Sequence, residues 1–170
     1  CSAAREAART AWPAPLTALL SLAVACVLPA CRPPDASAPP TRVAATNSYL
    51  EYVLRDLLGG QEPVLRLAEA GMCPGHFDLR PSQAAQLGRC TLLLRFDFQS
   101  ALGRKIGGIC AALTIEPVRV PGGLCEPGTY LSACRQAADA LVRAGLLDPQ
   151  PTDQRLAEID SRVQAAAQQA

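Results

Sequence analysis

The residues best equipped for chemistry lie in one short stretch, GMCPGHFDLRPS, residues 71 to 82. It holds His76, the only histidine of the chain. Imidazole is the commonest metal ligand and the one side chain that titrates near neutral pH without help. Cys73, a thiol, and Asp78, a carboxylate, stand within three residues of it on either side. Gly71, Pro74 and Gly75 let the backbone turn tightly enough to aim one side chain into a cleft. An isolated loop histidine more often packs in a turn or faces water, but a thiol and a carboxylate beside it point to a transition metal. Nothing comparable supports catalysis. There is no Ser-His-Asp, Cys-His-Asn or paired-carboxylate pattern, and a Cys73–His76 nucleophile pair would rest on loop spacing alone. Binding, and not an enzyme, is the expectation.

The elements that must position this loop alternate between strands and helices. RVAAT (42–46) reads as a short buried strand. Asn47 or Ser48 can cap the helix that follows, with Leu50, Val53, Leu54, Leu57 and Leu58 on one face and Gly59-Gly60 as its stop. PVLRLA (63–68) is a second strand and leads into the loop; Pro81 opens a helix over SQAAQLGR (82–89). TLLLRF (91–96) is a third strand. A short helix from Phe98 to Ile106 is expected to stop at Gly107-Gly108, and a fourth strand to span Ala112 to Val118. A second Gly-rich loop, PGGLCEPG (121–128), precedes a helix over Thr129–Ala144 with Leu131, Cys134, Ala138, Leu141 and Val142 as its apolar stripe. After DPQPTD (148–153) a final helix runs to Ala170. The pattern predicts an α/β fold, a parallel sheet with helices on both faces. In such sheets ligands bind beyond the carboxyl ends of the strands, so the loops 68–78 and 121–127 are expected to line one edge of one cleft.

Composition narrows the partners. Aromatic residues make up 4% and net charge is +1 with scattered arginines, which speaks against nucleic acid or an anionic lipid surface as a partner. The first forty residues read differently from the rest. Arg5 and Arg9 precede an apolar run from Leu16 to Leu28, the length of a signal-peptide core and short for a membrane span. The run ends in LPAC, which resembles the lipobox of bacterial lipoproteins and implies cleavage before Cys31 and lipidation of its thiol; AVAC at Cys26 is a weaker match. RPPDASAPP (32–40) suits a tether. The chain begins at Cys1, as a fragment or a trimmed reading frame would. The expected organisation is a signal peptide with lipobox (1–30), a lipidated Pro-rich tether (31–41), an α/β metal-binding lobe (42–150) and a further helix (151–170).

At GHFDLRPS the chain resembles the substrate-binding proteins of zinc and manganese ABC importers, the ZnuA-like family. TNSYLEYVLRDLLGG looks like that family's first strand-to-helix segment. His76, then Pro81-Ser82, an amphipathic helix and TLLLRF look like its first metal loop. Glu126-Pro127 through Leu147-Asp148-Pro149 resembles its second metal loop and the following helix. The likeness covers most of residues 42 to 170. It implies two α/β lobes joined by one rigid helix with the metal between them, this chain supplying the first lobe and the start of the linking helix (151–170). It also implies a periplasmic or surface-exposed, lipid-anchored receptor that delivers zinc, or manganese or another divalent transition metal, to an ABC permease.

The chain departs from the family pattern at the second loop. Where members place another histidine, on or near Gly122, this chain reads GGLCEP. In one reading Cys125 or Glu126 replaces that histidine, with Cys73 adding a second thiolate, a soft site that suits Zn²⁺ or Cu(I) better than Mn²⁺. In the other the site is degenerate, and the protein is a surface structural or adhesion lipoprotein without metal transport. Cys73 and Cys125 are also able to form a disulfide in an oxidising compartment. Cys90, Cys110 and Cys134 read as small buried hydrophobes. With no second lobe to pack against, residues 154–170 are expected to fray.

Overall fold

The computed structural model of the chain describes residues 41–60, 62–69, 72 and 78–169. The expected signal peptide, the expected lipidation residue Cys31, nearly all of the expected tether, and the loop residues Cys73 and His76 lie outside the described residues.

The third expected strand is the structural centre. Leu92–Phe96 forms β3, and Leu92, Leu93, Leu94 and Phe96 are fully buried. Each such side chain contributes about 1.5–3 kcal/mol by leaving water. Val43–Ala45 (β1) pairs with it in parallel, with Val43 opposite Leu92 and Ala45 opposite Leu94. Val64–Arg66 (β2) lies on the other side of β1, and Thr114–Val118 (β4) beyond β3. The sheet is four-stranded and wholly parallel in the order β2-β1-β3-β4.

Side chains alternate across it with period two. Val43, Ala45, Leu92, Leu94 and Phe96 pack with Leu50, Val53 and Leu54 of α1 (Ser48–Leu57), Leu131 and Leu141 of α4 (Pro127–Arg143) and Ile159 of α5 (Pro149–Ala167). Ala44 and Leu93 face the other way, toward Leu87 of α2 (Pro81–Leu87) and Ile106 of α3 (Ser100–Ile109). Helices cover both faces, as the alternating pattern predicts. Asn47 is the cap of α1, its Oδ1 accepting from the Leu50 amide at 3.1 Å. Gly59 and Gly60 end that helix region with positive φ, 67° and 70°, which only glycine adopts cheaply.

Three expectations need correction. The helix before β4 does not stop at Gly107-Gly108 but runs through both to Ile109, with Cys110 as its C-cap. Interior glycine costs only about 1 kcal/mol each in a helix, and burial of Ile106 outweighs it. The final helix is not left without a partner. Ile159 is fully buried against α4 and α1, Leu156 and Val163 pack beside it, and Arg155 Nε donates to the Asp56 carbonyl at 2.6 Å. Among the described residues no helix is long and apolar enough to cross a membrane. The third correction concerns the loops.

Candidate metal site at the carboxyl end of the sheet

The two Gly-rich loops leave the same end of the sheet but not the same edge. One follows β2 and the other β4, and these are the two outer strands. Three strand spacings, about 14 Å, separate their roots. The roots of the two loops therefore lie on opposite sides of the sheet end, with the ends of β1 and β3 between them.

The base of the first loop is built from polar clasps. Leu67 and Ala68 extend β2 by donating to the carbonyls of Ala45 and Thr46, each at 3.0 Å. Gln83 in α2 then bridges both ends of the loop. Its Nε2 donates to the Leu67 carbonyl at 2.7 Å, and its Oε1 accepts from the Arg80 amide at 3.0 Å. Glu69 and Arg80 close the same base by an ion pair at 2.7 Å. Asp78, the carboxylate beside His76 in sequence, pairs with Lys105 Nζ at 2.8 Å. That hydrogen bond and charge hold the Asp78 carboxyl below its ordinary range. Its link is thus to α3, in a fully solvated position.

The second loop is rooted by Gln136 of α4, whose amide accepts from the Arg119 N–H at 2.9 Å and donates to the Arg119 carbonyl at 3.0 Å. A turn follows, with the Glu126 N–H donating to the Gly123 carbonyl at 3.0 Å. Glu126 is the N-cap residue of α4, in extended conformation. Its carboxylate lies over the backbone of Gly122 and Gly123. A Cβ on Gly122 would overlap that carboxylate and approach Thr129 Oγ1 to 3.1 Å. The space where the family resemblance puts a histidine is filled by Glu126. The position suits an anion, because the first turn of a helix presents free N–H groups and the positive end of its dipole. Cys125 beside it is an exposed free thiol.

Between the loops, the ends of β1 and β3 carry residues that inspection of motifs misses. The Thr46 hydroxyl donates to Gln99 Oε1 at 2.8 Å, the Phe96 amide donates to the same oxygen at 2.8 Å, and Asn47 Nδ2 donates to Thr46 Oγ1 at 3.1 Å. Tyr49, in the first turn of α1, packs on Phe96 and edge-on to Tyr130, with centroids 5.8 and 5.7 Å apart. Its hydroxyl is buried with no hydrogen-bond partner among the described residues. Burial first, then the nearby Cys134 and Cys125, push its phenol up to about 12. Burial likewise pushes the Cys134 thiol up to about 12, which keeps it protonated and out of any ligand set at neutral pH. The adjacent TNSY motif is the one signal that could have drawn attention to Tyr49.

Among the described residues, no three His, Cys, Asp or Glu side chains cluster closely enough to hold a metal ion. The described loops bring Cys125 and Glu126 together as neighbours. His76 and Cys73 lie outside the described residues.

No family model matches the sequence, and no curated protein matches it. Solved structures do. One of ZnuA superposes with a TM-score of 0.67 at 14% identity, covering 76% of this chain and 57% of that one. A manganese-bound periplasmic metal-binding protein from Candidatus Liberibacter asiaticus gives 0.60 at 13% identity, over 72% of this chain and 52% of its own. Zinc-bound AdcA from Streptococcus pneumoniae gives 0.59 at 12% identity, over 75% of this chain and 31% of its own. The chain thus spans little more than half of the ZnuA structure and a third of AdcA. At these identities the likeness is one of fold alone: the described residues fold as part of the ZnuA structure does.

Proposed function

We propose that this chain is the first lobe of an extracytoplasmic receptor for a transition-metal ion, most simply zinc, that hands the ion to an ABC permease. The protein binds and releases; it does not catalyse. The observation that carries the reading is the second loop. A carboxylate, Glu126, is folded over two glycines at the N-terminus of α4, beside an exposed thiol, Cys125, at the carboxyl end of a parallel sheet. Ligand sites of such sheets lie at that end. His76 and Cys73 on the loop after β2 would complete the donor set from the opposite edge, and a second lobe would close over the ion. The proposed organisation keeps the expected boundaries: signal peptide and lipobox at 1–30, tether at 31–41 with Cys31 lipidated, metal-binding lobe at 42–150, and a helix from 151 toward the second lobe. Placement is then the periplasm or cell surface, held to the membrane by acyl chains.

A second reading has an observation in its favour. Asp78, the carboxylate beside His76, is paired with Lys105. In that reading the loop is structural, and the chain is a surface or adhesion lipoprotein that keeps the fold without transporting metal.

Zinc titration of the reduced chain by calorimetry, beside a His76→Ala control, decides between them. Binding near one-to-one that the control abolishes is the expected result. No heat, or heat unchanged in the control, overturns the receptor reading in favour of the structural one.

A further inference from the structure

Cys90 and Cys110 take no part in the proposed metal site. They lie at the opposite, amino end of the sheet, in the segments leading into β3 and β4. The register Leu92 with Thr114, and the Thr114 amide bonded to the Thr91 carbonyl at 3.0 Å, set those segments side by side. Both residues are buried, and both line one apolar cleft of about 460 Å³ together with Ala84, Leu87, Ile109 and Leu113. Both thiols point at carbonyls of the same helix: Cys90 Sγ lies 3.6 Å from the Gln86 oxygen and Cys110 Sγ 3.9 Å from the Ala84 oxygen. These carbonyls already accept backbone N–H groups, from Arg89 at 3.0 Å and Gly88 at 3.1 Å. Loss of the two S–H protons would therefore strand neither of these two carbonyls; Cys90 Sγ also lies 3.6 Å from the Thr41 oxygen. Burial raises the Cys90 thiol above its ordinary range, and the neighbouring Cys110 sulfur raises it further, which is the electrostatic mark of their proximity.

We propose that Cys90 and Cys110 are a dithiol–disulfide pair, closing to a bond that staples the end of α2 to the end of α3. The oxidant is a disulfide, small-molecule or protein. One cysteine, as thiolate, attacks a sulfur of that disulfide; a mixed disulfide forms and one thiolate leaves. The other cysteine then attacks the protein-side sulfur, the Cys90–Cys110 bond forms, and the second thiolate leaves. Two protons and two electrons leave the protein, and the oxidant becomes two thiols. The cleft gives the oxidant disulfide access to the thiols and gives the side chains room to rotate. Because burial favours the neutral thiol of Cys90, closure speeds up as pH rises. The proposal does not depend on metal binding.

The test uses the full chain in glutathione buffers of stepped redox ratio, quenched with iodoacetamide and digested with trypsin. Cleavage after Arg89, Arg95, Lys105 and Arg119 isolates the two cysteines on fragments 90–95 and 106–119. The expected result is one cross-linked pair of these fragments that grows with oxidised glutathione and is lost on reduction. The unfolding midpoint should rise with it by roughly 5–10 °C. Cys90→Ser and Cys110→Ser should show neither change. Recovery of both fragments alkylated at every ratio, or joined instead to a fragment bearing Cys125 or Cys134, overturns the proposal. The wild-type map decides even if a serine variant fails to fold.

Discussion

The Thr46 hydroxyl donates to Gln99 Oε1 at 2.8 Å and so joins the carboxyl ends of β1 and β3, where the strand order reverses. Both residues are buried, and the same oxygen accepts the Phe96 amide. In doubly wound sheets that reversal opens a crevice; here a side-chain network spans it. Gln99→Leu would leave the Thr46 hydroxyl and the Phe96 amide without this acceptor. The expected cost is about 2–6 kcal/mol, at about 1–3 kcal/mol for each of the two stranded donors. Urea unfolding reads it as a lower midpoint with an unchanged slope. A loss below about 0.5 kcal/mol would mean that water replaces the glutamine.

Tyr49 presents the opposite situation. Its ring is held by Phe96 and Tyr130, but its buried hydroxyl has no partner among the described residues. Tyr49→Phe keeps the ring contacts and removes the orphan group. It should leave stability unchanged or raise it by up to about 1 kcal/mol. Destabilisation by a similar amount would show that the hydroxyl is bonded in solution.

Much of this architecture is legible in the sequence, for local reasons. The LLL run of β3 reads as a strand buried on both faces, and Asn47 with the apolar stripe from Leu50 to Leu57 reads as a capped helix. Other features depend on partners distant in the chain. Gln83 contacts the Leu67 carbonyl across 16 residues, Gln136 contacts Arg119 across 17, and Gln99 contacts Thr46 across 53. No local spacing signals such clasps. Strand order is also non-local. Nothing in PVLRLA or TIEPV says that they form opposite edges, so two loops that look like neighbours leave the sheet about 14 Å apart. Gly107 and Gly108 misled for another reason. Glycine stops a helix when it takes positive φ, as Gly145 does at 66°, and these two do not.

Burial of Cys134 and Tyr49 gives a pH dependence of known sign. Both groups are neutral in the folded protein, with pKa values raised to about 12, and both ionise earlier once unfolded. Above the ordinary range of an unfolded thiol, near pH 9, the unfolded state binds fewer protons than the folded state. Their contribution to stability is therefore fully present below that range and is lost as pH rises toward 12. Thermal unfolding measured from neutral to strongly alkaline pH should show the midpoint falling in this window. Cys134→Ala removes one of the groups, so its curve, lower at neutral pH, should fall less steeply. Parallel curves for the two proteins would show that Cys134 is not the source.

The overlap between Glu126 and Gly122 supplies a direct test of which way the second loop faces. Gly122 lacks a positive φ, so an L-residue fits its backbone; the Glu126 carboxylate it would overlap can swing away, and Thr129 Oγ1, at 3.1 Å, has only to give by a few tenths of an ångström. Gly122→His should therefore cost less than about 1 kcal/mol of stability. If the loop after β4 faces the ion, the added imidazole should tighten zinc binding by about 10-fold or more. The gain should disappear when His76→Ala is combined with it, because both edges of the sheet end must then contribute. Affinity should also fall as pH is lowered, since imidazole and thiol ligands must shed their protons to coordinate. Calorimetric titration of the reduced single and double variants separates the outcomes. An unchanged affinity in Gly122→His, with the fold intact by circular dichroism, would mean that the loop carrying Cys125 and Glu126 does not face the ion.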